Sequence, residues 1–247
     1  MSSTKVVSFT VGTVLAVAFS GAALAEALVV RAIGPSSAAY PVGRPLTGAN
    51  VTLQAGDQLT ILDGGATRTW QGPGRFTVGG ASEKAAPGAN FAALVSQRTT
   101  RIARTGAVRG TRGDTPPRSP NLWYIDTGKT ATVCMPDFKA AVLWRADMTP
   151  TATMTLTRAA DGKAATVNWA AGQSGVVWPQ DLPLTAGDVV RISRPGAEAS
   201  TEVTFKQVRA AETPEAMAVT LIEAGCTAQL DVLVSSLAVS EDEAPRR

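Results

Sequence analysis

Residues 58–70 read QLTILDGGATRTW, and this stretch decides the fold class. Leu59 and Ile61 alternate with polar residues, the period of a β-strand with one face in solvent. Asp63-Gly64 supplies a tight turn, because glycine tolerates positive φ. The stretch therefore predicts a β-hairpin. Further short apolar runs separated by Gly, Pro and Asp surround it, as in an antiparallel sandwich or barrel. The strands predicted in this region are 28–33, 51–53, 58–62, 67–70 and 75–78.

A second β-rich region follows after residue 121. Its short strands are again separated by turn residues, and Asp161-Gly162 marks another hairpin. Seven or eight short strands in one region are typical of an immunoglobulin-like sandwich, although the Cys-Trp-Cys spacing of antibody domains is absent. The predicted strands are 122–126, 130–135, 140–145, 151–157, 164–169, 174–178, 188–193 and 201–207.

Helical signals appear between the two β regions and at the C-terminal end. Apolar residues at helical spacing from Ala89 to Ile102 predict a short linking helix that begins near Asn90. Thr213-Pro214 is an N-cap followed by proline at the first helical position, and Gly225 is a helix stop. A second C-terminal helix is predicted from about Ala228, but its apolar residues also alternate, so a strand is the alternative there.

The whole pattern predicts a mainly β protein. It comprises a small β domain, an antiparallel immunoglobulin-like β-sandwich, a short linking helix and a C-terminal helical hairpin. We divide the chain into 1–25 (signal peptide), 26–80 (β domain), 81–120 (helix and Arg/Pro/Gly-rich linker), 121–238 (sandwich with helices) and 239–247 (disordered tail).

Residues 1–25 have the three parts of a secretory signal peptide. Lys5 precedes an apolar run, and Ala23-Leu24-Ala25 forms a cleavage site before Glu26. An uncleaved anchor is the alternative, since the run is barely long enough to span a bilayer. No later segment has that length, so we expect a periplasmic or secreted protein with no transmembrane segment after processing.

Composition limits the chemistry. The 247 residues contain no histidine, and 23 Lys and Arg against 20 Asp and Glu give a net charge of +3. The usual Ser-His-Asp and Cys-His enzymes are therefore excluded, as are most catalytic zinc sites. We expect no catalytic residues, no cofactor and no metal.

Cys134 and Cys226 are the two cysteines of the chain. In an oxidising compartment an even number of cysteines indicates a disulfide, and two cysteines allow one pairing. The pair lacks the C-x-x-C spacing of a redox or metal site. We therefore predict a structural disulfide, with two free buried thiols as the alternative.

Six arginines between residues 98 and 118 form the strongest local charge bias. Guanidinium groups bind phosphate and carboxylate well, so an anionic envelope polymer or an envelope protein is the partner we expect; a solvated surface is the alternative. Nucleic acid is not expected after export, and the stretch has no interleaved aromatic residues for stacking. The predicted contact residues are Arg98, Arg101, Arg104, Arg109 and Arg112, and Arg118 completes the group.

Aspartates and tryptophans offer two further hypotheses. A pair of carboxylates hydrolyses glycosides without histidine, but turn aspartates usually bond their own backbone. Tryptophans can stack on sugars, but in apolar strands they usually pack in the core. The residues concerned are Asp57, Asp63, Asp161, Asp181 and Asp188, and Trp70, Trp123, Trp144, Trp169 and Trp178.

Residues 29–78 resemble a FecR-type domain. The cues are VVRAIGP at 29–35, PVGRPL at 41–46, VTLQAGDQLTIL at 51–62 and GPGRF at 72–76. The resemblance implies a β-rich periplasmic module, and FecR-type domains in their best-known setting relay a signal to a cytoplasmic sigma factor. Five residues precede the apolar run here, so we expect no cytoplasmic anti-sigma segment. The region after residue 121 is also similar to uncharacterised secreted proteins of alphaproteobacteria.

The function expected from the sequence is that of a non-catalytic binding or scaffolding protein of the cell envelope. A histidine-free, carboxylate-based envelope hydrolase is the alternative. Two carboxylates facing each other across a cleft would favour the enzyme.

Overall fold

The computed structural model describes residues 27–48, 50–78, 88–96, 119–196 and 199–238. The predicted signal peptide 1–25, the arginines of 97–118 and the predicted disordered tail 239–247 lie outside these ranges. The described residues form a mainly β protein with several antiparallel sheets and a C-terminal helix pair, as the sequence predicts.

The first β region builds two small sheets that share one core. Its strands are β1 (Ala27–Ile33), β2 (Pro45–Leu46), β3 (Asn50–Leu53), β4 (Gln58–Asp63), β5 (Ala66–Gln71) and β6 (Gly74–Thr77). One sheet has the order β2-β1-β4-β5, and β3 pairs with β6 in the other. Val29, Ile61 and Val51 meet in the core between them. The predicted hairpin is confirmed: Asp63 pairs with Ala66 across a two-glycine turn with positive φ.

The second β region builds a five-stranded and a three-stranded sheet. Its strands are β7 (Tyr124–Asp126), β8 (Ala131–Met135), β9 (Val142–Trp144), β10 (Ala152–Arg158), β11 (Ala164–Trp169), β12 (Gly175–Val177), β13 (Val189–Ser193) and β14 (Thr201–Gln207). The sheet orders are β11-β10-β13-β14-β8 and β12-β9-β7. Leu156 and Phe205 from the first sheet share one core with Ile125 and Leu143 from the second.

Two strand pairs depart from the fully antiparallel sandwich that the sequence predicts. β14 is parallel to β8, and β7 is parallel to β9. The cause is the path of the chain, which places β7 in one sheet, β8 in the other and β9 back in the first. Strands that are not joined by a hairpin turn are free to run parallel.

Three α-helices complete the described fold: α1 (Gly88–Val95), α2 (Pro214–Ala224) and α3 (Thr227–Ser236). The predicted caps of α2 are present, with the Thr213 side chain accepting a hydrogen bond from Ala216 N–H and Gly225 at φ 74°. The segment from Thr227 is a helix, so the strand alternative is wrong there. α1 ends at Val95, earlier than its apolar spacing suggests.

The four-stranded sheet has no solvated face along β4, contrary to the alternation of Leu59 and Ile61. Thr60 and Leu62, which point the other way, are also buried. They lie on the side where α2 packs against β1 and β4. The Thr60 hydroxyl is hydrogen-bonded to that of Thr69 at 2.9 Å, so its burial leaves no polar group unpaired. Leu28, Val30 and Leu62 thus belong to the same core as the second β region.

Candidate functional site

The disulfide between Cys134 and Cys226 is confirmed. The two Cα atoms lie 6.0 Å apart, within the range that a disulfide spans, and both residues are fully buried. Cys134 lies in β8 and Cys226 is the N-cap of α3. The bond therefore ties the C-terminal helices to the edge strand of the five-stranded sheet.

Gln229 supports the same junction with its side-chain amide. Its Oε1 accepts a hydrogen bond from Cys134 N–H at 2.6 Å, and its Nε2 donates to the Cys134 carbonyl at 2.8 Å. Nε2 also donates to the Leu122 carbonyl at 2.8 Å. Since β8 is an edge strand, the amide pairs backbone groups that a neighbouring strand would otherwise bind.

The same helices also hold the first β region. We call residues 214–238, which comprise α2, α3 and the two residues after α3, the helical clasp. The contacts are a hydrogen bond from Gly65 N–H to Glu215 Oε1 (2.6 Å), an ion pair between Arg31 and Asp231, and hydrogen bonds from Thr67 Oγ1 to the Val234 carbonyl (2.8 Å) and from Thr67 N–H to the Leu237 carbonyl (2.9 Å). The clasp therefore joins the two β regions to each other.

A second junction lies where the arginine-rich segment leaves and re-enters the described fold. We call residues 94–96 and 119–123 the neck. Its hydrogen bonds run from Leu122 N–H to the Leu94 carbonyl (3.0 Å), from Asn121 Nδ2 to the Ser96 carbonyl (2.8 Å) and from Trp123 Nε1 to the Val95 carbonyl (2.9 Å). Leu94, Leu122 and Trp123 are buried. The fold thus holds the two ends of the segment 97–118 beside each other.

The predicted contact residues of that segment, Arg98, Arg101, Arg104, Arg109 and Arg112, lie outside the described residues. The structure therefore positions the two ends of the segment.

The turn aspartates mostly bond their own backbone. Asp161 accepts a hydrogen bond from Lys163 N–H at 3.1 Å, and Asp188 accepts one from Thr185 N–H at 2.9 Å. These are the contacts of structural turns. Within the described ranges no group of three or more His, Cys, Asp or Glu could hold a metal ion.

Asp57 is the most tightly held of these carboxylates. It is buried and accepts hydrogen bonds from Ser36 N–H at 2.8 Å and Gln54 N–H at 2.5 Å. Burial works to raise the pKa of Asp57, but the hydrogen bonds from Ser36 and Gln54 outweigh it, so the pKa lies below its ordinary value of 3.8. The Asp57 carboxylate thus joins two turns of the first β region, its own turn with Gln54 and the turn that contains Ser36.

A glycine gives Asp57 the room that it needs. Gly34 has φ 105°, and a Cβ there would lie 2.6 Å from Asp57 Oδ1 and 2.7 Å from the Gly56 carbonyl oxygen. Position 34 therefore requires glycine for its conformation and for the space beside the carboxylate.

Four of the five tryptophans are core residues, as expected for aromatic residues in apolar strands: Trp123, Trp144, Trp169 and Trp178 are buried. Trp70 is half-buried and stacks on Phe76, with ring centroids 5.1 Å apart and planes within 8°. The four buried rings are not available as a platform for sugars.

The composition and spacing did not single out two polar residues of the core. Arg145 is buried, donates to the carbonyls of Gln173 and Ala170 at 3.0 Å, and lies over the Trp169 ring. Burial lowers the pKa of the Arg145 guanidinium, an effect that nearby Asp147 opposes. Gln229 is the other. A glutamine beside Leu230 and Leu233 on an otherwise apolar helix face was the available signal for it.

Comparison of the chain with protein-family models, curated proteins and solved structures finds no match. No helix among the described residues is long and apolar enough to cross a membrane.

Proposed function

We propose that this protein is a non-catalytic binding or scaffolding protein of the cell envelope, periplasmic or secreted, and that the segment 97–118 contacts an anionic envelope polymer or an envelope protein. The signal-peptide pattern of residues 1–25 and the FecR-type resemblance of residues 29–78 belong to this proposal. The neck is the observation that carries it.

The neck matters because it holds Ser96 and Ser119, the described residues that flank the segment, within the fold. The side chains of Leu94, Leu122 and Trp123 are buried. The Leu122 N–H donates to the Leu94 carbonyl, and the Trp123 indole N–H donates to the Val95 carbonyl. Bringing two distant points of a chain together costs entropy, and the contacts of the neck offset that cost for residues 96 and 119. Both ends of the segment are thus anchored in a packed part of the fold, as the ends of binding segments usually are.

The disulfide supports an oxidising compartment. A buried disulfide that closes 92 residues is expected in exported proteins and is rare where thiols are kept reduced. Trapping thiols with a maleimide in intact cells, followed by fractionation, tests this point. We expect both cysteines unreactive and the protein in the periplasmic or secreted fraction. A reduced protein in the cytoplasmic fraction would contradict the proposed location.

Binding to vesicles of phosphatidylglycerol, compared with phosphatidylcholine, tests the anionic partner. Replacing the five arginines Arg98, Arg101, Arg104, Arg109 and Arg112 with glutamine should weaken binding at least about tenfold, since each cation near an anionic surface adds ~1 kcal/mol. The affinity of the unmodified protein should also fall with added salt.

A second variant controls for net charge. It replaces five exposed cations elsewhere with glutamine: Arg75, Lys139, Lys163, Arg191 and Arg209. This variant should bind nearly as well as the unmodified protein. Equal weakening of the two variants would mean that overall charge, and not the segment 97–118, drives binding.

A further inference from the structure

We propose that two copies of this chain associate through the side of the second β region where β11 and β12 lie. In this dimer β11 of one copy pairs antiparallel with β11 of the other, about a two-fold axis at Thr166. The two five-stranded sheets would then form one continuous sheet. The proposal does not depend on the function proposed above.

The second β region has one side whose strand edges are covered and one side whose edges are open. β8 and β7 are the edge strands on the covered side, and β11 and β12, which contact each other, are those on the open side. The Gln229 amide covers the first side, because it bonds the backbone of Cys134 in β8 and the carbonyl of Leu122 just before β7. Among the described residues none bonds in this way to the outer edge of β11 or β12.

The outward backbone groups of β11 can be identified from its pairing with β10. Arg158 N–H donates to the Lys163 carbonyl at 2.9 Å, so Arg158 and Lys163 face each other across the ladder. Because successive residues of an antiparallel strand point their backbone groups alternately to its two sides, every second residue from Lys163 bonds to β10. The residues between them point outward, and these are Ala164, Thr166 and Asn168. All three are exposed, and their N–H groups have no hydrogen-bond partner within the described ranges.

β11 and β12 also lack the features that keep an edge strand from pairing. Proline, a charged side chain or a covering group serves this purpose in natural sheets. Each of the other described edge strands has one such feature. They are Pro45 in β2, Arg68 in β5, Arg75 in β6, Asp126 in β7, the Tyr40 hydroxyl that bonds both backbone groups of Thr52 in β3, and the Gln229 amide that bonds those of Cys134 in β8. β11 reads AATVNW and β12 reads GVV, so the two unprotected edges lie together on one side.

The arrangement of the outward residues favours a second copy of the chain as the partner. Ala164 and Asn168 lie symmetrically about Thr166, so a two-fold axis there pairs Thr166 with its counterpart and Ala164 with Asn168 of the other copy. The outward N–H and C=O groups of all three residues would then be hydrogen-bonded. Lys163 would lie opposite Trp169 of the other copy, so no like charges meet. The edge is therefore complementary to itself, as an interface between identical subunits requires.

Exposed apolar surface lies beside this edge. Val177 in β12 is 55% exposed, more than any other large hydrophobic residue that the structure describes. Trp178 N–H bonds inward to the Ala141 carbonyl, so the backbone groups of Val177 point away from β9. The same two-fold axis would turn the β12 edges of both copies toward the interface, where Val177 would be covered. Because Gln229 covers the opposite side, the pairing would stop at two copies.

Substitutions at the proposed axis test the pairing in the intact protein. Thr166→Lys would place two ammonium groups directly opposite each other in the dimer. Thr153→Lys is the matched control, since it adds the same charge to the same exposed face one strand further in, on β10. Sedimentation equilibrium from micromolar to millimolar concentrations measures the dissociation constant of the dimer. We expect a dimer of the unmodified protein, association at least about fivefold weaker for Thr166→Lys, and little change for Thr153→Lys.

Mixing Thr166→Lys with Thr166→Glu tests the position of the axis. The mixed pair brings opposite charges together, so the mixture should associate more tightly than either variant alone. An unmodified protein that stays monomeric at every concentration would overturn the proposal. So would a dimer that Thr166→Lys and Thr153→Lys weaken equally, or one that Thr166→Lys leaves unchanged. Weakening by both Thr166 variants without recovery on mixing would overturn the two-fold axis at Thr166.

Discussion

Gln229 bonds both backbone groups of Cys134 through its side-chain amide. The side chain of Cys134 is disulfide-bonded to Cys226, which lies three positions before Gln229 at the start of α3. One residue of β8 is therefore held to α3 by a covalent bond from its side chain and by two hydrogen bonds from its backbone. Because the clasp also contacts the first β region, this point of attachment influences the whole described fold.

Gln229→Leu should destabilise the protein by at least about 2 kcal/mol, because a buried donor or acceptor left unpaired costs ~1–3 kcal/mol. The change leaves Cys134 N–H and the carbonyls of Cys134 and Leu122 without these bonds. The free energy of unfolding from denaturant titration under oxidising conditions measures the loss. Gln207→Leu, at an exposed position, is the control and should stay within about 0.5 kcal/mol. Equal effects of the two changes would contradict the role of Gln229.

Replacing both cysteines with alanine should cost up to ~4–5 kcal/mol in the chain-entropy account of a loop this long. The sequence separation is 92 residues. Amide exchange should rise throughout the clasp, and also at Gly65 and Thr67, since both bond to it. Adding a reductant should destabilise the unmodified protein and leave the double variant unchanged. Unaltered exchange at Gly65 and Thr67 would show that the clasp holds the first β region without the disulfide.

Local sequence signals predicted the elements of this fold well. The strands Ala164–Trp169 and Thr201–Gln207 begin and end where the pattern places them. The hairpin turn at Gly64 and the helix stop at Gly225 were also read correctly. Periodicity, turn glycines and caps act over a few residues, so a single sequence contains them. The disulfide was accessible for a different reason, since two cysteines leave one pairing.

Long-range relations were not accessible in this way. β8 pairs with β14, a strand about seventy residues further along the chain, and no local pattern indicates that partner. Thr60 looked like the solvated position of an alternating strand, but the clasp covers it. Alternation reports that two faces differ in polarity, whereas burial depends on what a distant segment places over them. The Gln229 amide is likewise explained only by the edge strand that it meets.

Gly34→Ala should destabilise the protein by roughly 2 kcal/mol or more, beyond the ~1 kcal/mol cost of a side chain in left-handed backbone. The added Cβ would lie 2.6 Å from Asp57 Oδ1 and 2.7 Å from a backbone carbonyl oxygen. Gly162→Ala is the matched control, since Gly162 also has positive φ but nothing lies within 4 Å of its added Cβ. Thermal unfolding of the two variants separates the effect of conformation from that of contact. A loss at Gly34 no larger than at Gly162 would contradict the packing described around Asp57.

Asp57→Asn should change the acid dependence of stability. The pKa of Asp57 is lowered in the folded protein, so the carboxylate stabilises the fold above its ordinary pKa of 3.8 and this contribution fades as the pH falls below 3.8. The difference in unfolding free energy between the unmodified protein and Asp57→Asn should therefore be constant near neutrality and shrink below pH 3.8. Asp181→Asn, at an exposed position, controls for loss of one charge. A difference that persists unchanged at low pH would mean that Asp57 acts through packing and not through its charge.

Limited trypsin digestion should cut first between Arg104 and Arg118. The segment is rich in arginine, the residue after which trypsin cleaves, and its Gly, Pro and Thr content cannot build a core. Cleavage of a native protein requires backbone that is exposed and weakly hydrogen-bonded. The clasp and the neck hold together the parts of the chain that precede and follow the segment. The two fragments should therefore stay together in gel filtration after the cut and separate only in denaturant. Glutamine at the five predicted contact arginines should slow cleavage in the segment, and the exposed-cation variant should leave it unchanged. Resistance of this stretch under conditions that cut elsewhere would show that it is packed, and the division of the chain at 81–120 would then be wrong.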